Sequence, residues 1–323
     1  MDLTKTFITL NYSNLTMKHN LPITFILLAM FLAAQLLGLL IVAKSFDITI
    51  TDDGQKVNMK DNVFGEPAEN DSAWSFIPLI IIIVIMTAIL VFLFKRGLGK
   101  FWRYAFVLAI GFALSLAFTT LFPQFVLTAI IIAFLLAIWR VFKPNLIVHN
   151  LTELFLYGGL AVALVPMLRN LYAAIGLLIV ISIYDIIAVN KIKHMITLAE
   201  HQLESKAFAG LALSYAPVKK KTTTKKATKT TKKKKVKLKN AILGGGDIAF
   251  SLIFSSAVLI ALIEKGIPLP SALLLTAITS VTALCALAYL FFFAKQDKYY
   301  PAMPYLSAGS FVGGLIVWLI LLI

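Results

Sequence analysis

Nine apolar runs of about 20 residues each limit what this chain can fold into: residues 21–43, 75–94, 102–121, 124–142, 147–167, 171–190, 242–263, 270–293 and 303–323. At 1.5 Å of rise per helical residue, about 20 residues cross the roughly 30 Å of bilayer hydrocarbon. Within that layer the backbone must satisfy its own hydrogen bonds, so each run is expected to be a helix. The composition agrees: 60% of residues are hydrophobic and 14% charged, where a soluble domain carries roughly a quarter charged. The expected fold class is all-α, a polytopic membrane protein with nine transmembrane helices. The first run is too long for a signal-peptide core and no small-residue cleavage site follows it, so it is expected to be retained. Runs three and four form one apolar stretch from Phe101 to Val141, and a turn at Leu121-Phe122-Pro123-Gln124 is expected to divide them.

Orientation follows from the lysines and arginines of short flanking loops, which stay on the cytoplasmic side. Lys5 and Lys18 mark the N-terminal arm (1–20), and Lys95, Arg96, Lys100 and Arg103 the second loop. Arg140 and Lys143 mark the fourth loop, a lysine run the sixth, and Lys295 and Lys298 the eighth. The first loop instead carries Asp47, Asp52, Asp53, Asp61, Glu66, Glu69 and Asp71. The alternation predicts a cytoplasmic N-terminus and an external C-terminus. The sequons Asn11-Tyr12-Ser13 and Asn14-Leu15-Thr16 then face inward and are read as chance. In the first external loop, alternating Phe46-Asp47-Ile48-Thr49-Ile50-Thr51 suggests a short strand ending at Asp52-Asp53-Gly54, with plain loop an equal alternative.

The net charge of +15 is concentrated in twelve lysines between Lys219 and Lys239. Residues 201–241 are expected to form a Lys/Thr-rich cytoplasmic loop, disordered because residues 218–239 have almost no apolar content to offset the cost of ordering. Attraction to anionic lipid heads fits such a loop. Nucleic-acid binding does not, since residues 218–239 offer no aromatic platform for bases. The loop divides residues 21–200, helices one to six, from 242–323, helices seven to nine. Cys285 is the sole cysteine, which excludes an internal disulfide and a thiolate zinc site.

Two acids lie deep in apolar runs: Asp185, within Ile183-Tyr184-Asp185-Ile186, and Asp247, closing Leu243-Gly244-Gly245-Gly246-Asp247. An intramembrane acid is costly and marks function by default. Asp185 precedes Lys191 by six residues and Asp247 follows Lys239 by eight, which puts both roughly 9–12 Å from the cytoplasmic flank on antiparallel neighbours. Asp247, Ser251 and Ser255 form one stripe at i, i+4 and i+8, with Ser182 a turn before Asp185, and both stripes are expected to face inward. Gly244, Gly245 and Gly246 leave room for a close backbone or a substrate strand. Two carboxylates within about 3 Å share one proton, one acting as base and the other as acid on a water that attacks a peptide carbonyl. Tyr184 is a candidate support for the pair, alongside a plain packing role. Run nine opens with Tyr300-Pro301-Ala302-Met303-Pro304, whose two prolines free backbone groups that need protein or water to meet them. That edge could take an unwound substrate as an added strand, or simply start a helix.

Tyr184-Asp185, Gly244-Gly245-Gly246-Asp247 and Pro301-Ala302-Met303-Pro304 together resemble the YD, GxGD and PALP motifs of the presenilin and signal peptide peptidase family of intramembrane aspartyl proteases. The resemblance covers the whole chain and is nearest to a compact archaeal presenilin homologue. It implies that Asp185 and Asp247 are the catalytic pair, supported by Tyr184, Gly244 and Gly246, and that Pro301, Ala302, Met303 and Pro304 help hold substrate. Met303 replaces the usual leucine, a volume-conserving swap. The orientation matches the presenilin branch, and the family acts with water alone, with no cofactor or metal, on single-span transmembrane proteins or peptides in the bilayer, at the cell membrane if the source is prokaryotic. Self-cleavage of the loop, partner subunits and oligomeric state do not carry over.

Other chemistries fit less well. None of His19, His149, His194 and His201 lies in the His-Glu-x-x-His spacing of a zinc protease. Ser310 has no evident histidine, and Gly309 with Gly313 reads as helix packing. The alternative is a proton- or cation-coupled transporter or channel using the same aspartates, but only one broken helix and no inverted repeat is present. Glu153 is expected to snorkel or pair.

Overall fold

The computed structural model describes residues 21–51, 54–96, 99–143, 145–191, 209–215, 239–293 and 300–322. The N-terminal arm with its sequons, the Asp52-Asp53 turn, most of the Lys/Thr loop, and Lys295 and Lys298 lie outside the described residues. Among those described there are nine α-helices: α1 (Leu21–Lys44), α2 (Phe76–Lys95), α3 (Gly99–Leu121), α4 (Val126–Phe142), α5 (Leu146–Leu164), α6 (Leu171–Lys191), α7 (Gly245–Glu264), α8 (Leu269–Phe293) and α9 (Met303–Ile320). Eight are long and apolar enough to cross a membrane, and α2 adds a shorter apolar stretch, Phe76–Ile89. Four strands complete the described elements as two antiparallel hairpins, β1 (Phe46–Thr51) with β2 (Gly54–Met59) and β3 (Gly210–Tyr215) with β4 (Lys239–Gly244).

The long apolar stretch breaks where proline requires it. Pro123–Phe125 is a single 3-10 turn, and α3 and α4 pack side by side around it. Asn145 caps α5 by accepting the Ile147 amide at 2.9 Å, a use of asparagine that satisfies one of the four donors left open at a helix start.

The architecture centres on α7, whose buried residues run from Gly245 through Ile263 around its whole circumference. An apolar helix surrounded on all sides belongs in the middle of a bundle, and α1, α5, α6, α8 and α9 all pack against it. Close approach depends on small residues, as lipid-phase packing does generally. A Cβ at Gly38 of α1 would overlap Leu252 of α7, and one at Gly159 of α5 would overlap the Ala113 carbonyl of α3. Gly309 and Gly313 of α9 sit against Thr282, Ala283 and Thr279 of α8, the packing role expected of them. The outer helix α2 presents Ile81, Ile82, Val84, Ile85 and Met86 outward, as a lipid-facing surface should.

At the end of the bundle away from Asp247, the β1–β2 hairpin lies over α7 with Phe46 and Val57 buried. The predicted strand is β1, with its register set by pairing Thr51 to Gly54; β2 was not foreseen. Arg169, between α5 and α6, joins this end together. Its guanidinium reaches Glu69 at 2.8 Å, Asp71 at 3.4 Å and Glu264 at 2.5 Å. Burial works against the charge of Arg169, but the hydrogen bond and attraction of Glu264, with Asp71 and Glu69, outweigh it and hold its pKa above the usual arginine value.

The run expected as helix from residue 242 begins instead as strand. Ile242, Leu243 and Gly244 finish β4, and the helix starts at Gly245. Residues 210–215 and 239–241, at the two ends of the expected loop, are likewise strands.

Candidate active site

Asp247 sits in the first turn of α7, immediately after the strand-to-helix junction. Its three preceding glycines have different surroundings. A Cβ on Gly244 would stand 3.0 Å from Asp247 Oδ2, and one on Gly245 would stand 3.2 Å from the Tyr157 hydroxyl and 3.4 Å from the Ala209 backbone. Gly246 is exposed, and a Cβ there would meet only the Phe250 ring at 3.5 Å. The middle glycine is thus packed more tightly than the third.

Asp185 is half-buried on α6 and faces the start of α9. Its Oδ2 accepts the Met303 amide at 3.1 Å. The Ala302 carbonyl in turn accepts from Tyr305 and Leu306, both at 3.1 Å. Backbone donors freed by the Pro301–Pro304 interruption need partners inside the bilayer. Here the carboxylate of Asp185 is that partner. α6 and α7 pack against one another, and Arg169 before α6 bonds Glu264 at the end of α7, so the two run antiparallel and Asp185 and Asp247 lie toward the same end, with the start of α9 against Asp185.

The serine stripe is buried and bonded. Ser251 meets Ser310 of α9 at 3.3 Å, Ser255 accepts from Thr279 of α8 at 2.7 Å, and Ser182 of α6 meets Ser307 of α9 at 2.8 Å. These hydroxyl pairs tie the helices around the two aspartates, each contributing about 0.6 kcal/mol by measurements in membrane proteins. Tyr184 turns away from the bundle: it is exposed and lines an apolar cavity of about 490 Å³ with Ile80, Ile83, Thr87 and Phe92 of α2 and Val180 and Ile181 of α6.

A second polar stripe, on α5, was not singled out from the sequence. His149, Glu153 and Tyr157 follow at i, i+4 and i+8, the same spacing that marked Asp247. Glu153 is fully buried and ion-paired to Arg140 of α4, which also donates to Thr152 at 3.2 Å. Tyr157 is buried with its hydroxyl packed toward Gly245. Gln35 of α1 is also buried and donates to the Ile248 carbonyl at 2.9 Å, one residue past Asp247. Among the described residues no three His, Cys, Asp or Glu side chains are grouped as metal ligands.

Comparison with solved structures finds the same fold. One is described as a presenilin family intramembrane aspartate protease in space group C222: it aligns with a TM-score of 0.61 at 17% identity, covering 92% of this chain and 99% of that one. A second, so described in space group P2, aligns at 0.57 and 17%, covering 91% and 96%. No curated protein matches. The family model described as signal-peptide peptidase, presenilin aspartyl protease matches residues 28–323, and on that match the chain belongs to this family of intramembrane aspartyl proteases.

Proposed function

We propose that Asp185 and Asp247 are the two carboxylates with which this intramembrane aspartyl protease hydrolyses peptide bonds in single-span membrane proteins or peptides. The observation that carries this is their convergence: α6 and α7 pack side by side and, with Arg169 before α6 bonded to Glu264 at the end of α7, run antiparallel, so the two acids lie toward the same end of neighbouring helices. Sharing one proton, the ionised member takes a proton from water as that water attacks the scissile carbonyl. The protonated member gives its proton to the carbonyl oxygen, forming a neutral gem-diol. Collapse then breaks the C–N bond, a proton passes to the amine, and the pair returns to its singly protonated state. The Met303 amide fixes Asp185 in this scheme, while Gly244 leaves Asp247 its room and Gly246, open beside it, leaves space for substrate.

Substrate must lose its helix locally, because an intact helix shields its own peptide bonds. Two features favour an unwound segment here. Residues Pro301, Ala302, Met303 and Pro304 form one wall of the site. The outer edge of β4 is unpaired among the described residues and leads from Lys239 to Gly244, three residues before Asp247, so an extended segment could add there as a further strand. The apolar cavity between α2 and α6, lined by Tyr184, gives a lipid-side approach; through it Tyr184 supports the site at its rim. We place the N-terminus and the lysine loop in the cytoplasm and the C-terminus outside, on the charge alternation and the division of α3 from α4.

A peptide carrying a secondary alcohol in place of the scissile carbonyl imitates the gem-diol. It is expected to inhibit the wild type and to bind at least about 100-fold more weakly to Asp185→Asn and Asp247→Asn, as transition-state mimics do when the groups they match are lost. Equal binding to all three proteins would contradict the assignment.

A further inference from the structure

The β3–β4 hairpin is a two-stranded sheet, a unit that is marginal on its own, yet its register is complete from Gly210↔Gly244 to Tyr215↔Lys239. What holds it is α5. The backbone groups of Gly210 and Ala212 point away from β4, and polar side chains of α5 take up all four. Glu153 accepts the Gly210 amide at 2.9 Å, and His149 Nε2 bonds the Gly210 carbonyl at 2.7 Å. Asn150 accepts the Ala212 amide at 3.1 Å and donates to the Ala212 carbonyl at 2.8 Å. In effect one face of α5 stands in for a third strand. Burying Glu153 for this purpose requires a cation, and Arg140, itself buried, supplies it from α4.

We propose that Asn150, Glu153 and Arg140 are positioning residues that set which bond of the substrate is cut. This rests on the reading above in which substrate adds to the outer edge of β4. With the outward groups of Gly210 and Ala212 taken by α5, the outer edge of β4 is the open edge of the hairpin beside Asp247 among the described residues. Anchored through β3 to α5, β4 holds a fixed height beside Asp247, and a substrate strand laddered on it inherits that height. A strand whose template frays can slip by one or two residues, so loosening the clamp spreads cleavage over neighbouring bonds. None of the three residues touches the reacting atoms. They act through the hairpin.

Asn150 is half-buried, and Asn150→Leu removes two hydrogen bonds without emptying the core. With purified protein in lipid and a single-span reporter, we expect KM to rise about tenfold, the worth of one or two hydrogen bonds, with kcat within about twofold. Product masses should show cleavage at neighbouring bonds beside the wild-type position. Unchanged KM and unchanged product masses would overturn the proposal, as would a loss of kcat with the single wild-type product. Hydrogen exchange on the wild type tests the clamp without a variant: the Gly210 and Ala212 amides should exchange slowly although they face away from β4. Fast exchange at both overturns it. If the wild type leaves the reporter whole, the proteolytic assignment of the aspartates fails and takes this inference with it. If the wild type cuts and Asn150→Leu cuts identically, this inference fails alone.

Discussion

A methyl group added at Gly244 would stand 3.0 Å from Asp247 Oδ2, too close for that carboxyl to stay where it is. Displacements of about 1 Å at a reacting group cost on the order of 100-fold in rate; a shift of a few tenths of an ångström costs less, and Gly244→Ala is expected to lower kcat on a membrane reporter by about tenfold. Gly246→Ala meets only the Phe250 ring at ordinary contact distance and should keep kcat within a few-fold. Kinetics on the two variants side by side check this; equal loss in both would contradict it. The aspartates were readable at this scale because an acid in an apolar run stands out by itself. Glu153 stood out as well, but its partners did not: Arg140 lies on a different helix and Gly210 beyond another, and contacts of that kind come from packing, which helical spacing does not encode. The i, i+4, i+8 stripe His149–Glu153–Tyr157 was the available signal.

Between elements, the contact of α8 with α9 depends on small residues. A side chain at Gly313 would run into the Thr282 hydroxyl and the Thr279 backbone. Gly313→Leu is therefore expected to destabilise the protein by about 1–3 kcal/mol, the usual penalty of overpacking, read as an earlier thermal transition in detergent. An unchanged transition would mean that α9 does not pack on α8 as described. The helices were legible as runs of the right length, and so was β1, whose alternation and turn residues are local. β4 was not: Ile242 and Leu243 continue the apolar run of α7 without a break, and their strand partner Leu211–Ala212 lies on the far side of the Lys/Thr segment. Pairing across such a distance leaves no periodic trace.

For the molecule as a whole, Arg169 joins the first loop, the α5–α6 connection and the far end of α7. Arg169→Met leaves three carboxylates facing one another without a cation. Because Glu69, Asp71 and Glu264 keep a third or more of their side-chain exposure, the loss should fall below the about 3–5 kcal/mol of a fully buried broken pair, at about 1–2 kcal/mol. Thermal unfolding at low and high salt checks this, with a smaller difference between variant and wild type expected at high salt. The nine-run pattern made the bundle readable at this scale; the central place of α7 followed only from packing. In the proposed chemistry Asp185 and Asp247 act as one unit. The most direct test is cleavage of a single-span reporter in lipid by wild type, Asp185→Asn, Asp247→Asn and the double variant. Cutting by the wild type alone, with both single variants as silent as the double, is the predicted result; substantial cleavage by either single variant would contradict it.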